Sequence, residues 1–292
     1  MRAGTARGFR DILPSEALAR ERIVGMVQAC LTGYGYVPVE TPLLELHETF
    51  ERVGKPRIPS FQLFDSESGP LVLRSDLTMP IARMVSERTD ESSLPLRLRY
   101  LEPVVRESSA LAGQPRQFTQ LGAELFDVRG SLPEIEIVSV LAETLKTLGV
   151  PSWRIVCGSV TPLLSLLDAC APSAAFHAQV LSLVHDSDLP GLDELVRGAM
   201  LDRRAAHALS SLCRLTGDTS TIDEADGLLA EVGIPIKRRG TCELRDFARQ
   251  LSSLTEDANI GFDFSIVNSF DYYTGIVFKA YFRKIKEKDH CL

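Results

Sequence analysis

Apolar positions recur at helical spacing near the start of the chain. Ile23, Val24, Val27 and Leu31 fall on one stripe, which predicts a helix over 15–32, with Ser15 as its cap and Gly33 and Gly35 breaking it. Segment 36–44 (YVPVETPLL) reads as an extended edge, because Pro38 and Pro42 lack the N–H that a central strand must donate. Short strands at 63–64 and 71–73 flank a turn at 66–69, and a helix can begin at Thr78 and run to Ser86. The alternating segment 97–105 (RLRYLEPVV) predicts a strand, and 118–126 (FTQLGAELF) predicts the next. The polar segment 106–117 between them, with Gly113 and Pro115, completes a long hairpin with a mobile tip.

From Pro133 the spacing of Ile137, Val138, Leu141, Leu145 and Leu148 predicts a second long helix that ends at Gly149. A strand follows at 153–156. Composition changes from about residue 160 to 255, where Ala, Leu and Ser dominate and Pro172, Pro190, Gly217 and Gly233 break short amphipathic stretches. That segment reads as a helical insertion. Strands return at 261–267 and 272–282, with Phe262, Phe264 and Ile266 on one face and Ile276, Phe278 and Phe282 on another. Segment 283–292 (RKIKEKDHCL) is a solvated charged tail, or a chain that stops before its fold should. Strands segregated from helices point to an α+β class, an antiparallel sheet flanked by helices.

Composition narrows the function. The 292 residues carry a net charge of −7, are 45% hydrophobic and 24% charged, and belong to a folded chain with one large domain or two smaller ones. The acidic balance argues against broad nucleic-acid binding. Lys237, Arg238 and Arg239 form a short basic exception that is more often a solvated loop than a site. No apolar run of about 18 residues is present, so no membrane span is expected. The polar start, with Arg2, Arg7 and Arg10, does not resemble a signal peptide. Six scattered cysteines fit core positions in a reducing cytoplasm, and five histidines show no metal-ligand spacing. GxGxxG, P-loop and GxSxG fingerprints are absent.

Four constellations could carry chemistry. In Arg74-Ser75-Asp76-Leu77-Thr78, a carboxylate followed two residues later by a hydroxyl can receive an ammonium group. Asp76 is equally placed to cap the helix that starts near Met79. Arg106-Glu107 and Arg116-Gln117-Phe118 put two guanidiniums on the limbs of the hairpin, able to grip a carboxylate or phosphate. On the residues alone, a charged hairpin paired internally through Glu107 is the preferred reading. Gln120 and Glu124 share one strand face with Gly122 between them, which leaves room for a ligand. Burying such a pair without partners costs free energy, which favours a purpose over an exposed sheet face. Tyr272 and Tyr273 point to opposite faces, so one can pack while the other offers a hydroxyl.

Taken in order, these segments resemble the catalytic-domain family of class II aminoacyl-tRNA synthetases, in its histidyl branch. Gly8-Phe9-Arg10-Asp11-Ile12-Leu13-Pro14 is similar to that branch's opening motif. Gly33-Tyr34-Gly35-Tyr36 through Thr41-Pro42 resembles motif 1, which in the family forms a dimer interface. Arg106-Glu107 with Arg116-Gln117-Phe118 resembles motif 2, which in the family grips the ATP α-phosphate and the amino-acid carboxylate. Segments 71–78 and 270–275 resemble its histidine-binding segments. The likeness implies a class II core at 1–159 and 256–282, a helical insertion at 160–255 and a shortened, charged end at 283–292. Departures accompany it. Asn268 stands where the synthetases carry an arginine, and Asp76-Leu77-Thr78 replaces their glutamate-glycine-threonine. Motif 3, the glycine-rich strand beyond Tyr281 and an anticodon-binding domain are missing. Without those cations, charge developing on ATP during adenylate formation would be poorly stabilised.

A synthetase-like domain altered in this way resembles the regulatory subunits of ATP phosphoribosyltransferase. That resemblance implies a non-catalytic partner of the short-form catalytic subunit in histidine biosynthesis. It would be cytoplasmic, a homodimer within a hetero-oligomer, with L-histidine as feedback effector and no cofactor, metal, membrane or tRNA. By the same resemblance Asp76 and Thr78 face the histidine ammonium. Arg106, Arg116 and Gln120 hold the carboxylate side, and Glu124 with Tyr272 or Tyr273 contacts the imidazole. A truncated or degenerate histidyl-tRNA synthetase is the alternative, and a dimerising scaffold that binds neither ligand is the third.

Overall fold

The computed structural model describes residues 4–51, 60–107, 115–128, 130, 132–170, 173–254, 259–266 and 275–282. Two compact units divide the chain, Met1–Pro133 and Glu134–Leu292. The hairpin tip, Asn268, Tyr272, Tyr273 and the charged tail lie outside the described residues.

The first unit runs α1 (Pro14–Gly33), β1 (Val37–Pro38), β2 (Leu44–Leu46), α2 (His47–Glu51), β3 (Gln62–Asp65), β4 (Gly69–Leu73), α3 (Thr78–Arg88), β5 (Leu96–Val105) and β6 (Gln117–Phe126). Helix α1 starts at Pro14 rather than under a Ser15 cap. A proline at the first helical position needs no N–H there, and Leu13 at the N-cap makes no side-chain bond. The helix closes where Gly35, at φ 85°, donates to Thr32 O at 2.9 Å. Its apolar stripe is shallow, for only Leu31 is buried and Ile23 stays 52% exposed.

Strands β5 and β6 form a ten-residue antiparallel ladder from Leu96 opposite Phe126 to Val105 opposite Gln117. Strand β1 joins the β5 edge in parallel, as its prolines allow. Alternation along β5 turns Leu98, Tyr100 and Val104 inward, where they meet Leu77 and Ile81 from α3 and its approach. Strands β2, β4 and β3 form a second sheet, with Asp65 opposite Gly69 at the expected turn.

The rest of the chain runs α4 (Leu132–Thr147), β7 (Trp153–Ser159), α5 (Thr161–Cys170), α6 (Ala174–His185), α7 (Leu189–Gly198), α8 (Arg203–Leu212), β8 (Thr216–Gly217), α9 (Ser220–Glu231), α10 (Thr241–Leu254), β9 (Ile260–Asp263) and β10 (Ile276–Phe282). Among the described residues, segment 160–255 carries helices α5 to α10 with the short strand β8 between α8 and α9. Asp188 caps α7 by accepting the Gly191 N–H at 2.9 Å, and Asp202 caps α8 through the Arg204 N–H at 2.6 Å. These helices share one apolar core with the sheet. Leu163, Leu166, Leu209, Leu229 and Phe247 pack with Ile155, Cys157 and Phe262. In that sheet, ordered β10-β7-β9-β8, β7 pairs antiparallel with β10 and parallel with β9. The α+β class therefore holds, with two parallel pairings among the described residues, β1 on β5 and β7 on β9, beside antiparallel ones. Phe262, Phe264 and Ile266 are all buried, but Phe282 departs from the face expected of it and is 66% exposed at the strand end.

Candidate functional site

The site grows from the ladder of β5 and β6. Register places Leu98, Tyr100, Glu102 and Val104 opposite Glu124, Gly122, Gln120 and Phe118. Side chains of one register line share a face, so Gln120 and Glu124 emerge on the face that carries Tyr100. The N-terminus of α3 meets that face. Thr78 Oγ1 donates to Glu124 Oε1 at 2.8 Å, and Tyr100 Oη lies 3.5 Å from the same oxygen. Gln120 Nε2 in turn donates to Tyr100 Oη at 3.2 Å, while Gln120 Oε1 is buried without a hydrogen-bond partner among the described residues.

Gly122 leaves room, but the room belongs to Tyr100. A Cβ built on Gly122 would stand 2.3 Å from Tyr100 Oη and 2.4 Å from its Cζ. The space expected for a ligand is filled by a ring from the neighbouring strand. Tyr100 was not legible as a site residue from β5 alone. The signal that finds it is a large aromatic directly opposite a glycine, which needs the register.

Asp76 performs the capping role. Its Oδ1 accepts the Met79 N–H at 3.2 Å. It is also nearly buried, and burial raises its carboxyl above the ordinary range against the pull of that N–H and of Arg106. Glu124 is raised in the same way, first by burial and then by the charge of Asp76, with the Thr78 and Tyr100 hydroxyls opposing. Burial and the Glu124 charge also push the Tyr100 hydroxyl upward. Glu124, itself desolvated, thus sits in the field of the desolvated Asp76. Among the described residues neither makes an ion pair within 4.0 Å.

The two hairpin arginines separate. Arg106 Nε donates to Ser75 O at 2.9 Å, and its guanidinium lies 4.8 Å over the Phe118 ring, close enough to Asp76 to attract it. Arg116 stands apart, its guanidinium 4.1 Å from the Phe61 ring centroid and 5.9 Å from that of Phe9. The internal pairing through Glu107 is long, at 3.9 Å, and half exposed, so it contributes little. Asp76, Thr78, Gln120, Glu124 and Arg106 are brought together, and Arg116 is held on an aromatic bracket beside them. No group of three His, Cys, Asp or Glu among the described residues could hold a metal ion. No described helix is long and apolar enough to cross a membrane.

A family model for histidyl-tRNA synthetase matches residues 8–288. The chain belongs to the histidyl-tRNA synthetase family. Within that family it is similar to proteins named ATP phosphoribosyltransferase regulatory subunit. The one from Moorella thermoacetica is 30% identical over 277 residues, covering 94% of this chain and 70% of the relative. The one from Alkaliphilus metalliredigens is 28% identical over 280 residues, covering 94% and 69%. A crystal structure of an ATP phosphoribosyltransferase regulatory subunit/histidyl-tRNA synthetase from Bacillus halodurans matches with a TM-score of 0.86 and 28% identity, over 98% of this chain and 74% of that one. The chain spans about two thirds of the length of the curated relatives it matches. The resemblance drawn from the ordered motifs is borne out, and the histidyl-tRNA synthetase fold is the one found.

Proposed function

We propose that this chain is a non-catalytic regulatory subunit of ATP phosphoribosyltransferase. In this reading it associates with the short-form catalytic subunit and carries feedback inhibition by histidine. The observation that carries the ligand assignment is the pair of buried carboxylates, Asp76 and Glu124, raised by burial and by the charge of Asp76 on Glu124. A ligand bearing an ammonium and a ring N–H relieves that cost at both ends, because each carboxylate then gains a charge-assisted bond. Histidine has both groups. Asp76 and Thr78 receive its ammonium. Glu124 receives an imidazole N–H. Gln120 borders the site, and Arg106, fixed through Nε on Ser75, turns its remaining donors to the carboxylate, with Arg116 flanking. Names of the relatives support the partner assignment. Cytoplasmic location and a homodimer within the complex belong to the same proposal.

Mixing with a short-form catalytic subunit tests the whole reading. Phosphoribosyltransferase activity that rises on mixing and falls with histidine supports it, and a mixture with neither complex nor rescue refutes it. Coupling of about 1–3 kcal/mol between the sites is expected. Asp76→Ala loses one charge-assisted bond, about 1.5–3 kcal/mol, so calorimetry should show histidine affinity falling at least about tenfold. Histidine-dependent exchange of pyrophosphate into ATP would instead mark a synthetase and overturn the non-catalytic assignment.

A further inference from the structure

A buried ion pair stands behind the site. Arg74 at the end of β4 and Glu102 in β5 are in direct contact, their side chains only 3% and 10% exposed. Arg74 spreads its donors over three carbonyls. Nε reaches Pro103 O at 3.0 Å, and Nη1 reaches Thr41 O at 2.7 Å and Pro42 O at 3.3 Å. Glu102 Oε1 accepts the Thr41 N–H at 3.1 Å. The main chain of Arg74 is pinned as well, its N–H donating to Leu43 O at 3.1 Å and its carbonyl accepting the Val105 N–H at 3.0 Å. Segment 41–43, the end of β4 and the end of β5 therefore meet at one guanidinium.

Each arm of this hub leads to the site. Ser75 and Asp76 follow Arg74 directly, and the Ser75 carbonyl is held by Arg106. Glu102 sits opposite Gln120 in the ladder. Burying an ion pair carries a desolvation cost that an apolar pair of similar volume avoids, so stability alone does not account for one here. What the pair supplies, and apolar side chains lack, is direction. A planar fork with fixed donors sets where the 74–76 turn lies relative to β5.

We infer that Arg74 and Glu102 are positioning residues for this site, holding the 74–76 turn so that Asp76 faces Glu124 from a fixed place. Neither touches the ligand in the proposed reading. The inference concerns the carboxylates themselves and is testable without histidine. Burial, the Met79 and Thr78 N–H groups and Arg106 set the charge state of Asp76, whose own charge acts on Glu124 and Tyr100, all within this unit.

The test replaces both partners at once, Arg74→Met with Glu102→Leu, because either single change strands a buried charge. Carbon-13 carboxyl titration of the ligand-free protein reads Asp76 and Glu124, alongside a thermal melt. Expected is a folded variant in which both carboxyls titrate closer to the ordinary carboxylate range, as the turn opens to water. A folded variant that titrates as the wild type does overturns the inference. Should the double variant fail to fold, Arg74→Lys decides. It keeps a charge opposite Glu102 but loses the fork, so the same direction of change supports the positioning role and an unchanged titration refutes it. Histidine calorimetry on the same proteins separates the two claims. At least a tenfold loss of affinity in the variant supports the positioning role, whereas a wild type that binds no histidine sinks the ligand reading and leaves the titration to decide.

Discussion

Gly122→Ala should destabilise the protein although its backbone conformation suits an alanine. Gly122 is not among the glycines at positive φ, so in an open strand the change would gain about 0.5–1 kcal/mol. Here the new Cβ would stand 2.3 Å from Tyr100 Oη, 2.4 Å from Cζ and 2.8 Å from Cε2. The ring must retreat by about 1 Å to restore ordinary contact. It has little space to do so, being 6% exposed and packed in one cluster with Leu77, Ile81, Leu98 and Val104. Overpacking of this kind costs about 1–3 kcal/mol. Displacing the hydroxyl also breaks the 3.2 Å bond from Gln120 and the long contact to Glu124, together adding about 1 kcal/mol. The net expectation is a loss of about 1–3.5 kcal/mol, read by urea unfolding and as a melting-temperature fall of about 3–10 °C. Adding Tyr100→Leu should recover most of that loss, a non-additivity visible in a double-mutant cycle. A Gly122→Ala protein that melts within about 1 °C of the wild type, at the resolution such cycles require, would refute the steric account.

The carboxylates predict a pH signature. Because Glu124 is raised in the folded state, its ionisation is resisted there, so its stabilising contribution is complete below the unfolded carboxyl value of about 4.3 and is lost as pH rises through the folded value. Glu124→Gln removes that loss, and its melting temperature relative to the wild type should climb from pH 4 towards neutrality, a difference independent of pH counting against the assignment. Arg83→Met should cost about 1–3 kcal/mol in urea unfolding, since it strands Glu45, 4% exposed, which now takes Arg83 Nε at 3.0 Å and Nη2 at 2.9 Å. Burial pushes the Cys157 and Cys213 thiols up to about 12, so iodoacetamide at pH 8 should leave both unmodified in the folded protein, and mass spectrometry finding rapid alkylation would contradict their placement.

Local pattern carried much of the architecture. The alternation in 97–105 and 118–126 predicts the long hairpin, and amphipathic spacing predicts the helical character of 160–255, whereas its division into six helices among the described residues, two of them capped by Asp188 and Asp202, came from the structure. Asp76 with Thr78, and Gln120 with Glu124, were each legible as a polar pair because strand period and helix start are short-range properties. Failures came where a choice rests on partners distant in sequence. Proline at the first helical position displaced the Ser15 cap locally, but the exposure of Ile23 depends on how little packs against α1.

What the amino-acid sequence determined alone is the periodicity of each element, the absence of the common nucleotide fingerprints and the ordered motifs of the histidyl-tRNA synthetase family. Tertiary structure decided which residues meet. Only the register of β5 on β6 sets Tyr100 over Gly122, and only the fold brings Arg74 to Glu102 and to Thr41 across 33 positions of chain. Only packing against aromatic rings turns Arg116 from a paired hairpin cation into a stacked one. The physical reason is that periodicity is written in neighbours along the chain, whereas burial and charge pairing are energies between segments that the chain brings together only on folding.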